Sequence, residues 1–331
     1  MIKVIFFGLG EIGRQIARLV LKKKELEIVG ALDLAPDLVG KKLGDVLGLN
    51  APDLNITDDV DGLLSQVRAD IVLHATVSDL TVALPQITKC IKAKLNVIST
   101  CEELSYPYYR HPELSSELAN LADSNGVSVL GTGINPGYLM DTLPITLTGA
   151  CQDVQRIKVT RMMNSSKRRV PFQKKIGEGL TPELFRKMIE DKKITGHVGL
   201  VESIAMIASA VGWKLDEIRE LLPEPIIAER ELATPYITIQ PGQVAGLKSE
   251  AHGVKGGVRV IELEFNANAA VQDEYDAIDI DGEPPIRQKI IGGVHGDLGT
   301  SSVIVNMIPR VLKSSSGLVT MKDLPPVSAY L

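Results

Sequence analysis

Residues 1–33 read MIKVIFFGLGEIGRQIARLVLKKKELEIVGALD. An apolar, β-rich run, IKVIFFG, passes without a loop into Gly8-Leu9-Gly10-Glu11-Ile12-Gly13, and then into EIGRQIARLVLKK, where Ile12, Ile16, Leu19 and Val20 recur at helical spacing. A second strand-like run, EIVGALD, closes the unit. A G-x-G-x-x-G pattern at the junction of a strand and a helix is the context in which the motif binds a dinucleotide. Gly8 permits the tight turn, Gly10 lets the backbone approach a pyrophosphate, and Gly13 lets the helix pack closely on its strand. The first helical N–H groups, at Glu11 and Ile12, face that phosphate with the positive end of the helix dipole. Asp33 ends the second strand about 20 residues after the last glycine, where an acidic side chain accepts ribose hydroxyls and repels a 2′-phosphate. The expected cofactor is NAD, with NADP as the alternative.

Working outward, the runs LNIT, DIVLHAT, LNVIST and GVSVLG extend the strand series, and amphipathic stretches such as LTVALPQITKCIKAK lie between them. This alternation predicts an α/β fold with a doubly wound parallel Rossmann sheet. After Gly131 the pattern changes. Helical signatures at TPELFRKMIEDKK, GLVESIAMIASAVG and KLDEIRELL are followed by alternating runs, RIKVTRMM, GQVAGLKSEAHG, VRVIELEFNANA, EYDAIDID and IRQKII, which read as an antiparallel sheet with one face packed on helices. The expected organisation is a dinucleotide-binding domain over residues 1–134, an α+β substrate-binding and dimerisation domain over 135–296, and a C-terminal helix and tail, 297–331, returning to the first domain. That final helix is expected to stop at Gly317.

At 331 residues the chain is long enough for two cores. A formal net charge of −5 argues against nucleic acid as a partner. The N-terminal apolar run is too short for a signal peptide or a membrane span, so no membrane association and a cytoplasmic location are expected. Cys90, Cys101 and Cys151 form no CxxC pair, and the five histidines are scattered, so neither a disulfide framework nor a metal site is expected.

The chemistry is expected at the carboxyl ends of the strands. Ala75 and Thr76 follow the fourth run and suit close passage of the cofactor, whereas His74 reads as a packed strand residue. The fifth run leads into Cys101-Glu102-Glu103 and the aromatic loop SYPYY. One of Glu102 and Glu103 is expected to transfer protons, with a lean to Glu103, because Tyr106, Tyr108 and Tyr109 follow it and could desolvate it. The turn GTGINPGYLMDTLP supplies Gly133 and Asn135 for the cofactor and Tyr138 and Met140 for the substrate, with a helix starting near Tyr138. RMMNSSKRRVPFQKK concentrates cations, of which Arg161 and Arg168 are candidates to pair with a substrate carboxylate; a solvated loop is the competing reading. His197 is a candidate polar group near the substrate.

The segments GLGEIGR, LHATVSD, VISTCEELSYP, GINPGYLMDTLP, GHVGLVES and GDLGTSSVIVNMIP together resemble the 2,4-diaminopentanoate dehydrogenase family and the related native amine dehydrogenases, which are distantly similar to dihydrodipicolinate reductases. The paired-histidine segment, lysine and SGT turn of the last group are missing here. The resemblance implies NAD(P)-dependent oxidative deamination of an amine outside the α position, reversible as reductive amination of a ketone by ammonia. It places the proton-handling glutamate in VISTCEE, hence at Glu102 or Glu103. It also implies a homodimer. A related reductase acting on a cyclic imine or semialdehyde is the alternative enzyme, and an NAD(H) sensor without turnover is the alternative from another class.

Overall fold

The computed structural model describes residues 1–329, and the chain divides into two compact units, Met1–Tyr138 with the segment from His295 onward, and Leu139–Val294. The short β-branched runs of the first unit become β1 (Ile2–Phe7), β2 (Leu26–Leu32), β3 (Ile71–His74), β4 (Asn96–Ser99) and β5 (Ser128–Gly131). Between them lie α1 (Glu11–Val20), α2 (Leu43–Leu47), α3 (Val60–Gln66), α4 (Leu80–Lys92) and α5 (Pro112–Ser124). The second unit contains α6 (Thr142–Thr148), β6 (Asp153–Asn164), α7 (Val170–Lys175), α8 (Pro182–Glu190), α9 (Leu200–Ala210), β7 (Glu217–Glu220) and β8 (Glu224–Ile227). It continues with β9 (Leu232–Ala233), β10 (Thr238–Ile239), β11 (Val244–Lys255), β12 (Val258–Asn268), β13 (Tyr275–Glu283) and β14 (Ile286–Ile291). The chain then returns to the first unit as α10 (Gly296–Val311) and β15 (Gly317–Val319).

The first sheet has the order β15-β5-β4-β3-β1-β2 and every pairing in it is parallel. Both faces are covered by helices, so β3 and β5 are buried at every residue, as parallel strands require. Strand order reverses at β1, and a ligand of such a sheet lies outside the carboxyl ends of the strands at that point.

The sheet corrects two expectations. LNIT is not a strand: residues 54–57 make only isolated bridges, Leu32 with Thr57 and Lys42 with Asn55. Only Ile56 of the four is buried, and a single apolar anchor does not seat a strand between two helical layers. The sixth strand is β15, so Gly317 begins a strand with φ of 115° and does not cap α10, which ends at Val311.

The second sheet has the order β14-β13-β6-β12-β11-β7, with β8 also pairing β11. It is mixed, not purely antiparallel, because β12 runs parallel to β6. KLDEIRELL is not helical either. Its centre forms β7, antiparallel to β11 with Arg219 opposite His252, because the open edge of β11 supplies backbone partners that outweigh a weak helical propensity. The helix expected near Tyr138 starts at Thr142, where the Asp141 carboxylate caps its first N–H.

One row of this sheet bears on the site. Register places Ser249, Phe265, Arg161 and Asp276 side by side on β11, β12, β6 and β13, on the face that also carries the buried Val159, Leu263 and Ile278. The opposite face is a ladder of ion pairs, Arg156 with Glu262 and Asp281 among them.

Candidate active site

The turn from β1 to α1 is held by backbone contacts that admit only glycine at two of its three positions. Gly8 has φ of 98°, and a Cβ there would lie 2.4 Å from the Ala75 carbonyl oxygen. A Cβ on Gly13 would lie 2.0 Å from the Gly8 oxygen, which is what brings α1 against the strand. Gly10 differs, because a Cβ there would meet nothing within 4 Å. It is the N-cap of α1 and has no side chain with which to cap that end of the helix. Those features fit a pyrophosphate.

Asp33 reaches back to this turn. Its Oδ2 accepts the Leu9 N–H at 2.6 Å and its Oδ1 accepts the Ala35 N–H at 2.8 Å. The carboxylate therefore fixes the glycine loop, a task its position in the sequence did not announce. Ala75 donates its N–H to Phe7, and the Thr76 hydroxyl donates to Gln86 at 2.8 Å. Across the sheet, the turn after β5 that holds Gly133 and Asn135 is braced by α10: the Ile134 N–H donates to the Thr300 hydroxyl, and Gly299 packs closely on the Ile134 side chain.

The two glutamates part company. Glu103 Oε2 accepts the N–H of Leu80, the first residue of α4, at 2.8 Å and lies 3.1 Å from His111 Nε2. Its carboxylate is thus a fastener between β4, α4 and the start of α5. Glu102, on the short turn of helix at Glu102–Ser105, is half-buried and makes no hydrogen bond or ion pair with any described residue. Two of the three tyrosines expected to enclose Glu103, Tyr108 and Tyr109, are exposed, and the Tyr108 hydroxyl donates to the Leu318 carbonyl of β15.

His74 is a strand residue with both ring nitrogens engaged, by Ser99 Oγ at 2.8 Å and Gln86 Oε1 at 2.7 Å. Burial lowers its pKa to about 4, with the Gln86 hydrogen bond opposing, so at neutral pH it is an uncharged packing group. Burial pushes the Cys101 thiol up to about 12, which makes it no nucleophile near neutrality.

In the second unit, the basic stretch sorts itself by burial. Lys167 pairs with Glu274 at the surface and Lys174 and Lys175 are exposed, whereas Arg161 and Arg168 are only 2% and 8% exposed. Arg161 Nε lies 3.6 Å from Asp276 Oδ1, and its Nη2 donates to the Val294 carbonyl. His197 stacks on Phe265, the neighbour of Arg161 in the row, with ring centres 4.2 Å apart, and its N–H donates to Ser249 Oγ. The residue as a whole is half-buried, yet the imidazole lies deep among neighbouring atoms; burial, then the charges of Lys175, Arg161 and Arg168, lower its pKa to about 3. It is a neutral imidazole beside two buried guanidiniums. Met140 is fully buried in the same unit, and Tyr138 ends the first one half-buried.

Residues 138–331 match the 2,4-diaminopentanoate dehydrogenase C-terminal domain, and residues 2–101 match the dihydrodipicolinate reductase N-terminus. A 2,4-diaminopentanoate dehydrogenase of Acetoanaerobium sticklandii is 37% identical over 100% of this chain and 95% of its own length. The chain belongs to the 2,4-diaminopentanoate dehydrogenase family. An amine dehydrogenase of Streptomyces virginiae is 28% identical over 80% of the chain and 74% of its own length. The solved structure of an amine dehydrogenase from Mycobacterium smegmatis aligns with a TM-score of 0.87 at 26% identity, over 99% of this chain and 97% of that one.

Within this member of the 2,4-diaminopentanoate dehydrogenase family, sequence reading missed Gln86, His111 and Thr300, each of which holds a candidate residue or its turn in place. No local pattern marks them: Thr300 acts on a turn 166 residues away, and Gln86 and His111, although 12 and 8 residues from His74 and Glu103, meet them only because α4 and the start of α5 pack back on the strand ends. No group of three or more His, Cys, Asp or Glu side chains that could hold a metal ion occurs among the described residues.

Proposed function

We propose that this enzyme, an NAD(P)-dependent amine dehydrogenase by family, prefers NAD and oxidises the C4 amine of a 2,4-diaminopentanoate-like substrate to a ketone and ammonia. The observation that carries the reading is Glu102, a half-buried carboxylate without a partner among the described residues, at the carboxyl end of β4 in a sheet whose β1–α1 turn is built for a pyrophosphate. Gly8, Gly10, Glu11, Ile12 and Gly13 would hold the dinucleotide, with Ala75, Thr76, Gly133 and Asn135 along its path and Asp33 at the adenosine ribose. Bound there, the nicotinamide supplies a hydride acceptor.

The chain's own share is positioning and proton transfer. Glu102 takes a proton from the substrate ammonium, which leaves a lone pair to assist loss of hydride from the adjacent carbon. Glu102 releases that proton to solvent, then takes a proton from the water that adds to the iminium carbon and hands it to the carbinolamine nitrogen; the C–N bond breaks, ammonia departs, and the hydroxyl proton returns to Glu102 as the ketone forms. Glu103, clamped by Leu80 and His111, keeps the Glu102 backbone in place. In the second unit Arg161 and Arg168 are the candidates for a substrate carboxylate, His197 for a neutral hydrogen-bonding edge and Met140 for an apolar contact; Tyr138, at the end of the first unit, is a further apolar candidate. A homodimer belongs to the same proposal, supported by β14, an edge strand that no described strand covers on its outer side.

The test is NADH formation, followed by absorbance, with 2,4-diaminopentanoate, simple amines, hydroxy acids and aldehydes in parallel. Turnover of amines alone is expected. Reduction of a cyclic imine or a semialdehyde with no amine oxidation would replace this reading by the related reductase.

Cofactor preference has its own test. Asp33→Ser removes a negative charge beside the ribose, so kcat/KM for NADP relative to NAD should rise by about tenfold or more, the equivalent of about 1.4 kcal/mol. Because Asp33 also holds the Leu9 N–H, KM for both cofactors should rise as well. An unchanged ratio would confine Asp33 to fastening the loop.

A further inference from the structure

A chain of hydrogen bonds runs across the carboxyl ends of the first sheet, and its middle member is His74. This last residue of β3 stands in register with Ser99, the last residue of β4, so the two side chains meet where the strands end. His74 Nδ1 lies 2.8 Å from Ser99 Oγ, and Nε2 lies 2.7 Å from Gln86 Oε1 on α4. Ser99 Oγ accepts the Cys101 N–H at 3.1 Å, and Gln86 Oε1 accepts the Thr76 hydroxyl at 2.8 Å. Cys101 is the N-cap of the helical turn that begins with Glu102, and Thr76 is a candidate on the path of the cofactor. One ring therefore ties the two together.

The chemistry of the groups sets the direction of every bond. A carbonyl oxygen only accepts, so the proton between His74 Nε2 and Gln86 Oε1 belongs to the histidine. Burial lowers the pKa of the ring to about 4, so at neutral pH Nδ1 is bare and accepts the Ser99 hydroxyl. Ser99 is left to hold the Cys101 N–H with a lone pair. Thr76 gives its proton to Gln86 and lies 3.1 Å from the same Nε2–H, so towards a ligand it can only accept. His74 is 1% exposed, with its ring edge-on to Phe7 at 5.4 Å between centres, and an apolar ring would fill that space without desolvating four polar groups. Retention of the network points to a task beyond packing.

We propose that His74 is a positioning residue for the reaction: through Ser99 it fixes the turn that carries Glu102, and through Gln86 it makes Thr76 an acceptor for a ribose hydroxyl of the bound dinucleotide. The inference rests on the reading of Glu102 as the proton-transfer group, and adds to it the residue that aims it. The turn has a second fastening on its other side, where the Cys101 thiol and the Glu103 N–H both donate to the Ser78 carbonyl. Loss of the Ser99 contact should thus misplace Glu102 without unravelling the turn.

The two halves of the network can be cut separately. An asparagine amide reaches the place of Nδ1 and a glutamine amide the place of Nε2, so His74→Asn keeps the Ser99 contact and His74→Gln keeps the Gln86 contact. His74→Asn should weaken NADH binding at least about fivefold, the range of one neutral hydrogen bond, with single-turnover kcat within about twofold. His74→Gln should lower kcat at least about tenfold, with NADH affinity within about twofold. Equal effects of the two variants on both quantities, or an effect on the melting temperature alone, would reduce His74 to packing and overturn the proposal. Thr76→Val, at a half-buried position, should reproduce the loss of NADH affinity, and unchanged affinity removes the cofactor half. If the wild-type enzyme oxidises no amine, the reading beneath falls, while NADH titration of His74→Asn and Thr76→Val still decides that half. A measurement on the wild type guards against variants that fail to fold. His74 is the one histidine that follows a leucine, so paired labelling singles it out, and nitrogen NMR at neutral pH should show its ring as the neutral Nε2–H tautomer. An Nδ1–H tautomer or an imidazolium would reverse the bonds and sink the proposal.

Discussion

Replacement of Glu102 by Gln should lower kcat for amine oxidation by about 10²–10⁴-fold, the range expected for a lost general base, while NADH binding changes by less than about twofold. Gln keeps the size and much of the hydrogen bonding of the side chain but has no basicity. Because the Glu102 carboxylate makes no hydrogen bond or ion pair with a described residue, its loss should leave the melting temperature unaltered. Glu103→Gln should behave in the opposite way. Its Oε2 accepts the Leu80 N–H and faces His111, so the substitution weakens a fastener between three elements. A stability loss of about 1–2 kcal/mol is expected, with a kcat loss under about tenfold. Single-turnover kinetics and thermal unfolding on both variants separate the two roles. If Glu103→Gln abolishes turnover at an unchanged melting temperature and Glu102→Gln does not, the assignment is reversed.

Alanine at Gly10 and at Gly13 should give two different failures. A Cβ on Gly13 would sit 2.0 Å from the Gly8 carbonyl oxygen, a backbone atom that moves only if α1 is pushed off its strand. Overpacking of this kind costs about 1–3 kcal/mol or more, so Gly13→Ala should lower the melting temperature of the cofactor-free protein by several degrees as well as weaken cofactor binding. Gly10→Ala meets nothing within 4 Å, so the cofactor-free protein should melt as the wild type does. Its methyl group would occupy the space assigned to the pyrophosphate, and NADH affinity should fall by about tenfold or more. Calorimetric titration of both variants with NADH reads the difference. Wild-type affinity in Gly10→Ala would move the pyrophosphate away from this turn.

The first 33 residues determined a great deal alone, because a Rossmann turn is a local object. Gly13 is dictated by the Gly8 carbonyl oxygen five residues away, at the join of a strand and a helix that the apolar spacing already marks, whereas the atom that excludes a side chain from Gly8 is the Ala75 carbonyl oxygen, brought in by β3. The strands β6, β11, β12, β13 and β14 were equally legible, since a sheet with one buried face writes period-two alternation into each strand. What escaped depended on partners distant in the chain. LNIT and GLV are both short and apolar, and only the free edge beside β5, next to which α10 delivers the chain, makes the second a strand. KLDEIRELL carries a helical pattern that the open edge of β11 overrides.

The site divides along the same line. That two adjacent glutamates are candidates for proton transfer could be read from their place after a parallel strand. That they differ in their engagement could not, because the difference lies in the Leu80 N–H and the His111 ring that engage Glu103. Six cations between Arg161 and Lys175 are one charge run in the sequence; burial at 2% and 8% singles out Arg161 and Arg168. The tie from His74 to Ser99 and Gln86 carried no signal at all, since polar residues on two strands and a helix are ordinary until the fold brings them within hydrogen-bonding distance. Sequence fixes periodicity and turn chemistry, which act over a few residues; solvation and pairing of a charge depend on what the fold brings to it from elsewhere, and only the tertiary structure decides that.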